Sequence, residues 1–151
     1  MRKRFLIEGK GIQRYRPAEN TWSAPALGTP FHPTCLAVGG DRLFAGKATY
    51  KMGEHRSWGG VQSLDLKTGQ LRDIGATEEL PSPRVTTLTV KGNDLWVGGE
   101  GFVAVVDLAQ WKTRKVWYGP AREVDHIEVA GGLVWVQYGG HLYKAPLKEL
   151  Q

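Results

Sequence analysis

One pattern occurs three times along these 151 residues and leaves few folds open to the chain. Leu36-Ala-Val-Gly-Gly-Asp-Arg-Leu-Phe-Ala-Gly46 returns as Leu88-Thr-Val-Lys-Gly-Asn-Asp-Leu-Trp-Val-Gly98. It returns more loosely as Ile127-Glu-Val-Ala-Gly-Gly-Leu-Val-Trp-Val-Gln137. Each copy reads as an alternating strand, a glycine-centred turn and a second apolar strand with an aromatic residue in its middle. In the second strands Leu43/Ala45 and Leu95/Val97 alternate with Phe44 and Trp96, so both faces are apolar and both need cover. Sheets stacked on one another supply that cover; an isolated sheet does not.

The repeat runs on past this hairpin. Strands Pro33–Gly39, Arg42–Gly46, Val61–Leu66 and Gln70–Ile74 form one unit, lettered A to D. Val85–Lys91, Asp94–Gly98, Phe102–Leu108 and Thr113–Trp117 form the next. Partial units lie at the two ends. Phe5–Gly9, Gly11–Asn20 and Thr21-Trp22 resemble B, C and D, while Val124–Ala130, Leu133–Tyr138 and His141–Ala145 resemble A, B and C. The last D strand would have to come from the short, polar Leu147–Gln151. A repeat of about 40 residues made of antiparallel hairpins predicts an all-β chain, a β-propeller of about three and a half four-stranded blades. The predicted domain is single, 1–151, with repeats near 5–23, 33–74, 85–117 and 124–147. Such an arc has free edges, so it is expected to associate with itself or with further blades.

Composition agrees with a turn-rich folded domain: 41% hydrophobic residues, six Trp, twenty Gly and eight Pro. The net charge of +5 is concentrated only at Arg2-Lys3-Arg4, so a nucleic-acid partner is not expected. Cys35 is alone, which rules out an internal disulfide, and a small buried hydrophobe is its expected role. The apolar run after the basic start is too short for a secretory leader, and no stretch is long enough to span a membrane. A cytoplasmic location is the default expectation.

Leu88–Gly98 followed by Val105-Val-Asp-Leu108 resembles bacterial propeller repeats of the two-component-regulator type. It is also similar to quinoprotein-like and Kelch-like repeats, whose C strands often run into an Asp-Leu-x-Thr-Gly turn; Asp65-Leu-Lys-Thr-Gly69 matches that turn. The resemblance covers roughly residues 5 to 146 and implies architecture rather than activity, because propellers host sensors, scaffolds, lectins and enzymes.

Asp65 and Asp107, where strand C turns into D, are expected to form turns through side-chain-to-backbone bonds. The A–B and C–D turns are short and alike, so variation gathers in the B–C and D–A connections, which share one rim. The first B–C connection is an insertion, Lys47–Gly59; the D–A connections carry Phe31-His-Pro33, Pro81-Ser-Pro-Arg84 and Tyr118-Gly-Pro-Ala-Arg122. Irregular loops on a rigid scaffold are where binding resides. Tyr50, His55, Arg56, Trp58, Arg84 and Arg122 are therefore the candidate ligand-binding residues, with aromatic and arginine anchors of the kind found at interfaces. No catalytic residue, cofactor site or metal site is predicted: the four histidines show no ligand spacing, and no nucleotide or nucleophile motif is present. The expected function is a non-catalytic binding or scaffolding module for a protein or a small anionic or carbohydrate ligand. The alternative is part of a propeller enzyme of the quinoprotein-dehydrogenase or polysaccharide-lyase kind.

Overall fold

The structure, a computed structural model, describes residues 4–8, 11–23, 33–48, 50–52, 55–57, 59–81 and 84–150. β1 (Arg4–Glu8), β2 (Gly11–Arg16) and β3 (Thr21–Ser23) form an amino-terminal meander. β4 (Pro33–Gly39) and β5 (Arg42–Lys47) follow, then a separate hairpin of β6 (Tyr50–Met52) and β7 (His55–Ser57). β8 (Gly60–Asp65) and β9 (Leu71–Ile74) return to the main sheet, which has the order β4-β5-β8-β9 and is unit 1. The remaining elements are β10 (Val85–Lys91), β11 (Asp94–Asp107), β12 (Lys112–Ala130), β13 (Leu133–Tyr138), β14 (His141–Pro146) and a single helical turn, α1 (Leu147–Leu150). The chain is all-β with several antiparallel sheets.

The two long strands are each shared between neighbours. An extended segment of β11's length would span about 45 Å, yet the Leu108 N–H donates to the Asn93 carbonyl at 2.8 Å. β11 is therefore folded back on itself, its tip at Gly99-Glu100-Gly101. Its first arm pairs with β10 and its second with the early part of β12, from Phe102↔Tyr118 to Asp107↔Lys112. The later part of β12, Val124 to Ala130, pairs with β13. Unit 2 is thus β10, the two arms of β11 and residues 112–118, and unit 3 is residues 124–130, β13 and β14. One corner recurs in all three units: Leu66, Leu108 and Leu147 donate backbone N–H bonds to Asp41, Asn93 and Gly132 at 2.7, 2.8 and 2.9 Å.

Apolar layers lie between consecutive units, as the two-faced strands require. Ile12 meets Leu43, Ala45 and Leu64 of unit 1. Phe44, Val61 and Ile74 of unit 1 meet Leu95, Val97, Ala104 and Val106 of unit 2. Trp96 and Val105 of unit 2 meet Ile127, Val129 and Val134 of unit 3. Stacking is made close by glycine. A Cβ on Gly46 would sit 2.8 Å from Val85 Cγ1, and a Cβ on Gly98 would sit 2.8 Å from Val124 Cγ1. Both glycines hold the same register position, opposite Cys35 and Thr87, and both receive the first residue of the next unit. Beside them a bulged threonine completes the joint, Thr34 Oγ1 donating to the Val85 carbonyl and Thr86 Oγ1 to that of Val124.

Asp65 and Asp107 act as the sequence predicts. Each Oδ1 accepts two backbone N–H bonds, from Lys67 and Thr68 at 2.9 and 3.0 Å and from Ala109 and Gln110 at 2.8 and 3.1 Å. Cys35 is half-buried against the layer between units 1 and 2, and that burial pushes its thiol pKa up despite hydrogen bonds with Thr34 and the Gly46 backbone.

Three features depart from the full repeat. Leu147–Leu150, in the segment from which a last D strand would have to come, is a helical turn, and unit 3 has three strands among the described residues. Part of the Lys47–Gly59 insertion is a β-ribbon and not irregular loop. Trp96 is buried between units, whereas Trp135, the matching middle aromatic of the third copy, lies on the outer face, partly exposed with Lys144 Nζ 5.6 Å from its ring centre. No helix among the described residues is long and apolar enough to cross a membrane.

Candidate functional site

Two segments define the rim where the site was expected: the tip of β11 and the middle of β12, Tyr118–Glu123. Between them and unit 3 opens a groove of about 510 Å³, lined by Phe102, Trp117, Tyr118, Pro120, Tyr138 and Tyr143 among others. The Tyr118 ring is 78% exposed and Tyr143 55%, high values for aromatic residues that have apolar surface beside them. An adjoining cleft of about 180 Å³ continues inward along Val103, Trp117 and Val136 to Trp96 and Leu150.

Local sequence explains the wall. Gly119 lets the strand pass under Tyr138, whose hydroxyl lies 3.4 Å from where a Gly119 Cβ would be and donates to the Pro120 carbonyl. Trp117 stacks parallel on the buried Trp96, ring centres 6.0 Å apart and planes 7° apart, with Lys115 Nζ 5.2 Å from the Trp117 ring. The Trp96 indole N–H, a buried donor in a residue that lines the cleft, has no hydrogen-bond partner among the described residues. A flat aromatic wall with a few polar groups at its margin suits an extended ligand that offers apolar or CH surface and hydrogen-bond acceptors. Among the described residues no three His, Cys, Asp or Glu side chains are grouped as metal ligands would be.

Of the candidate residues named from sequence, Arg84 and Arg122 stand on this rim but are not among the residues lining the groove. Arg84 pairs with Glu123 at 3.0 Å, both half-exposed, and its carbonyl accepts from the Glu100 N–H at the tip of β11. Arg122 is exposed and lies along Gly139, its Nη1 3.2 Å from where a Cβ would stand. Tyr50 belongs to β6, and His55 and Arg56 to β7, with Lys51 opposite Arg56 in the ribbon. Trp58 lies outside the described residues. Trp117, Tyr118, Tyr138 and Tyr143 were missed. The available signal was Tyr118, which heads the Tyr118–Arg122 connection already placed on this rim.

A second, polar cleft of about 330 Å³ lies on the opposite rim, where Asp41, Arg42, Asp65 and Trp111 meet. Arg42 and Arg72 of unit 1 both approach the Trp111 ring of unit 2, at 4.8 and 4.2 Å from its centre. Arg42 also bonds Ser63 at 3.0 Å and lies 3.6 Å from Asp65. These groups satisfy one another, which makes the cleft a joint between units.

No family model matches the chain, and no curated protein does. Solved structures share the fold. The extracellular domain of the putative one component system BT4673 from B. thetaiotaomicron superposes with a TM-score of 0.75 at 17% identity, over 99% of this chain and 20% of that one. PorZ, a surface component of the type-IX secretion system of Porphyromonas gingivalis, gives 0.68 at 15%, over 97% and 19%. The computationally designed Ika4 protein gives 0.58 at 20%, over 77% and 72%. The chain thus spans about a fifth of the length of these two natural proteins.

Proposed function

We propose that the stacked units are consecutive blades of a β-propeller and that the chain is a non-catalytic binding module. Its ligand lies in the aromatic groove between units 2 and 3, on the rim shared by the B–C and D–A connections. The groove itself carries this reading: about 510 Å³ of apolar, aromatic-walled space beside two strongly exposed tyrosines. The repeated joints at Gly46/Val85 and Gly98/Val124 support the propeller, since one geometric step applied twice generates an arc. Likeness in fold to the extracellular domain of a putative one component system and to a bacterial surface component supports recognition over catalysis. Protein segments and carbohydrates both present surface suited to Trp117 and Tyr118, and the exposed Arg122 at the margin favours ligands bearing negative charge.

The test is a titration of the full chain with oligosaccharide and peptide panels, followed by tryptophan fluorescence. Trp117 is in the groove wall, so occupancy is expected to shift its emission. Trp117→Phe and Tyr118→Ala are expected to weaken binding at least about tenfold, on the scale of a truncated interface anchor. Binding that ignores both changes, or turnover of any panel member, overturns the reading.

A further inference from the structure

The polar cleft on the opposite rim holds more hydrogen-bonding capacity than its own contacts use. Its walls come from the A–B turns of units 1 and 2 and from the turn that Asp107 organises. At about 330 Å³ it lies at the small end of the range for ligand pockets.

Trp111 is the lining residue that the turn alone does not explain. Asp65 and Asp107 organise matching turns, and the last residue of each is left-handed, at φ 74° for Gly69 and 54° for Trp111. Asn20 holds the same place in the amino-terminal meander, at φ 49°. Glycine and asparagine take this conformation readily, whereas a bulky side chain is strained in it. Unit 1 makes the turn without an aromatic residue, so the strain at Trp111 serves the position of the ring and not the closure of the turn. That position is the cleft wall, where the ring rests on the Arg42 and Arg72 guanidiniums.

The polar groups beside it are paired but not saturated. Asp65 Oδ1 takes the two turn N–H bonds, while Oδ2 stands 3.6 Å from Arg42 Nη2. That ion pair is too long to be a hydrogen bond. Arg42 gives one N–H to Ser63, and a guanidinium carries several more. A hydroxyl placed between Arg42 and Asp65 would accept from the first and donate to the second. Asn93, in the facing turn, adds an amide able to do both. Charge is balanced, since Asp65 faces Arg42 and Asp41 pairs with Lys67 at 3.0 Å. A lining of mixed donors and acceptors with little net charge favours an uncharged polyhydroxyl ligand over an ion.

We propose that this cleft binds one neutral sugar ring, with CH surface against Trp111 and hydroxyls on Arg42, Asp65 and Asn93. The site is separate from the aromatic groove and does not depend on it.

The probes are the methyl glycosides of glucose, galactose and mannose, each titrated into the isotope-labelled full chain. The readouts are the Trp111 indole N–H and the backbone amides of Gly40, Gly92 and Asn93. At least one glycoside is expected to give saturable shifts in the millimolar range, the strength open to a ligand of about a dozen heavy atoms. Trp111→Gly gives the second turn the residue of the first, and Asp65→Asn keeps an oxygen for the turn N–H groups. Each is expected to weaken binding about tenfold or more. Asp65→Asn carries the test if Trp111→Gly lowers the melting temperature. Absence of saturable shifts with all the glycosides overturns the proposal. Affinity that survives both substitutions overturns it as well. Shifts that persist in Trp111→Gly and vanish in Tyr118→Ala place the sugar in the groove, which overturns this site and leaves the groove a binding site.

Discussion

The Arg72 guanidinium of unit 1 lies 4.2 Å from the ring centre of Trp111 in unit 2, and that pairing depends on an unusual backbone. Trp111 sits at φ +54°, in the left-handed region, at the end of the turn that Asp107 organises. The turn thereby aims an indole at the neighbouring sheet, where Arg42 joins from 4.8 Å.

Replacing Trp111 with Ala removes both cation–π contacts. These are worth about 0.5–1 kcal/mol each at exposed sites, so a loss of about 1–2 kcal/mol is expected from them. Urea denaturation measures it. Arg72→Ala should show part of the same loss, and a double mutant should cost less than the sum because the residues touch.

Gly98 and Gln137 occupy one register position in consecutive units, and their substitutions should differ. Gly98→Ala forces a Cβ to within 2.6 Å of Thr87 Cγ2 and 2.8 Å of Val124 Cγ1, both on β-branched side chains that are stiff at χ1. A cost of about 1–3 kcal/mol is expected, in the range of core overpacking. Gln137→Ala, on an exposed face, should stay within about 0.5 kcal/mol of the parent. Equal effects would show that units 2 and 3 are not joined as described.

Trp96→Ala and Trp135→Ala provide a matching contrast. Trp96 is 1% exposed between two units, and truncating it should cost about 3–5 kcal/mol. Trp135 lies on the outer face, and its truncation should cost well under half as much. Thermal melts of the two variants, run side by side, decide the point.

Acid should weaken the turn at Asp65. The Thr68 and Lys67 backbone N–H groups hold its carboxyl below the ordinary carboxylate pKa. A depressed folded-state pKa gives stability that is present above the unfolded value, near 4, and is lost as pH falls through the folded one. Asp65→Asn keeps an oxygen for the two N–H groups but does not titrate. Its melting temperature should therefore fall less steeply than the parent's below about pH 4.

The all-β class and most strand limits were legible because Leu43, Phe44, Leu95 and Trp96 have no polar face to show to water. The turn role of Asp65 and Asp107 was legible because an Asp where one strand turns into the next accepts bonds from the N–H groups two and three residues on. The fate of Leu147–Leu150 was not: its leucines serve a helical turn as well as a strand, and packing on the layer beneath unit 3 decides between them. The groove was hidden for the same reason. Trp117 and Tyr143 read as ordinary core aromatics, and among the described residues no strand covers their faces. Arg84 and Arg122 attracted notice by chemistry alone, yet Glu123 is placed to neutralise Arg84 and Gly139 to accommodate Arg122.

The glycine–valine joints give the stack a direction, with consequences for how a chain of this kind changes length over evolutionary time. A duplicated copy of residues 85–123, spliced in ahead of Val124, would meet Gly98 with its own Val85 and offer its own Gly98 to Val124. Both new seams would repeat one that already exists, and the reading frame of contacts would be preserved. The same copy appended after unit 3 would meet Gln137, Asp125 and Glu128. Chains built this way gain units most readily between two existing units joined by a glycine–valine seam.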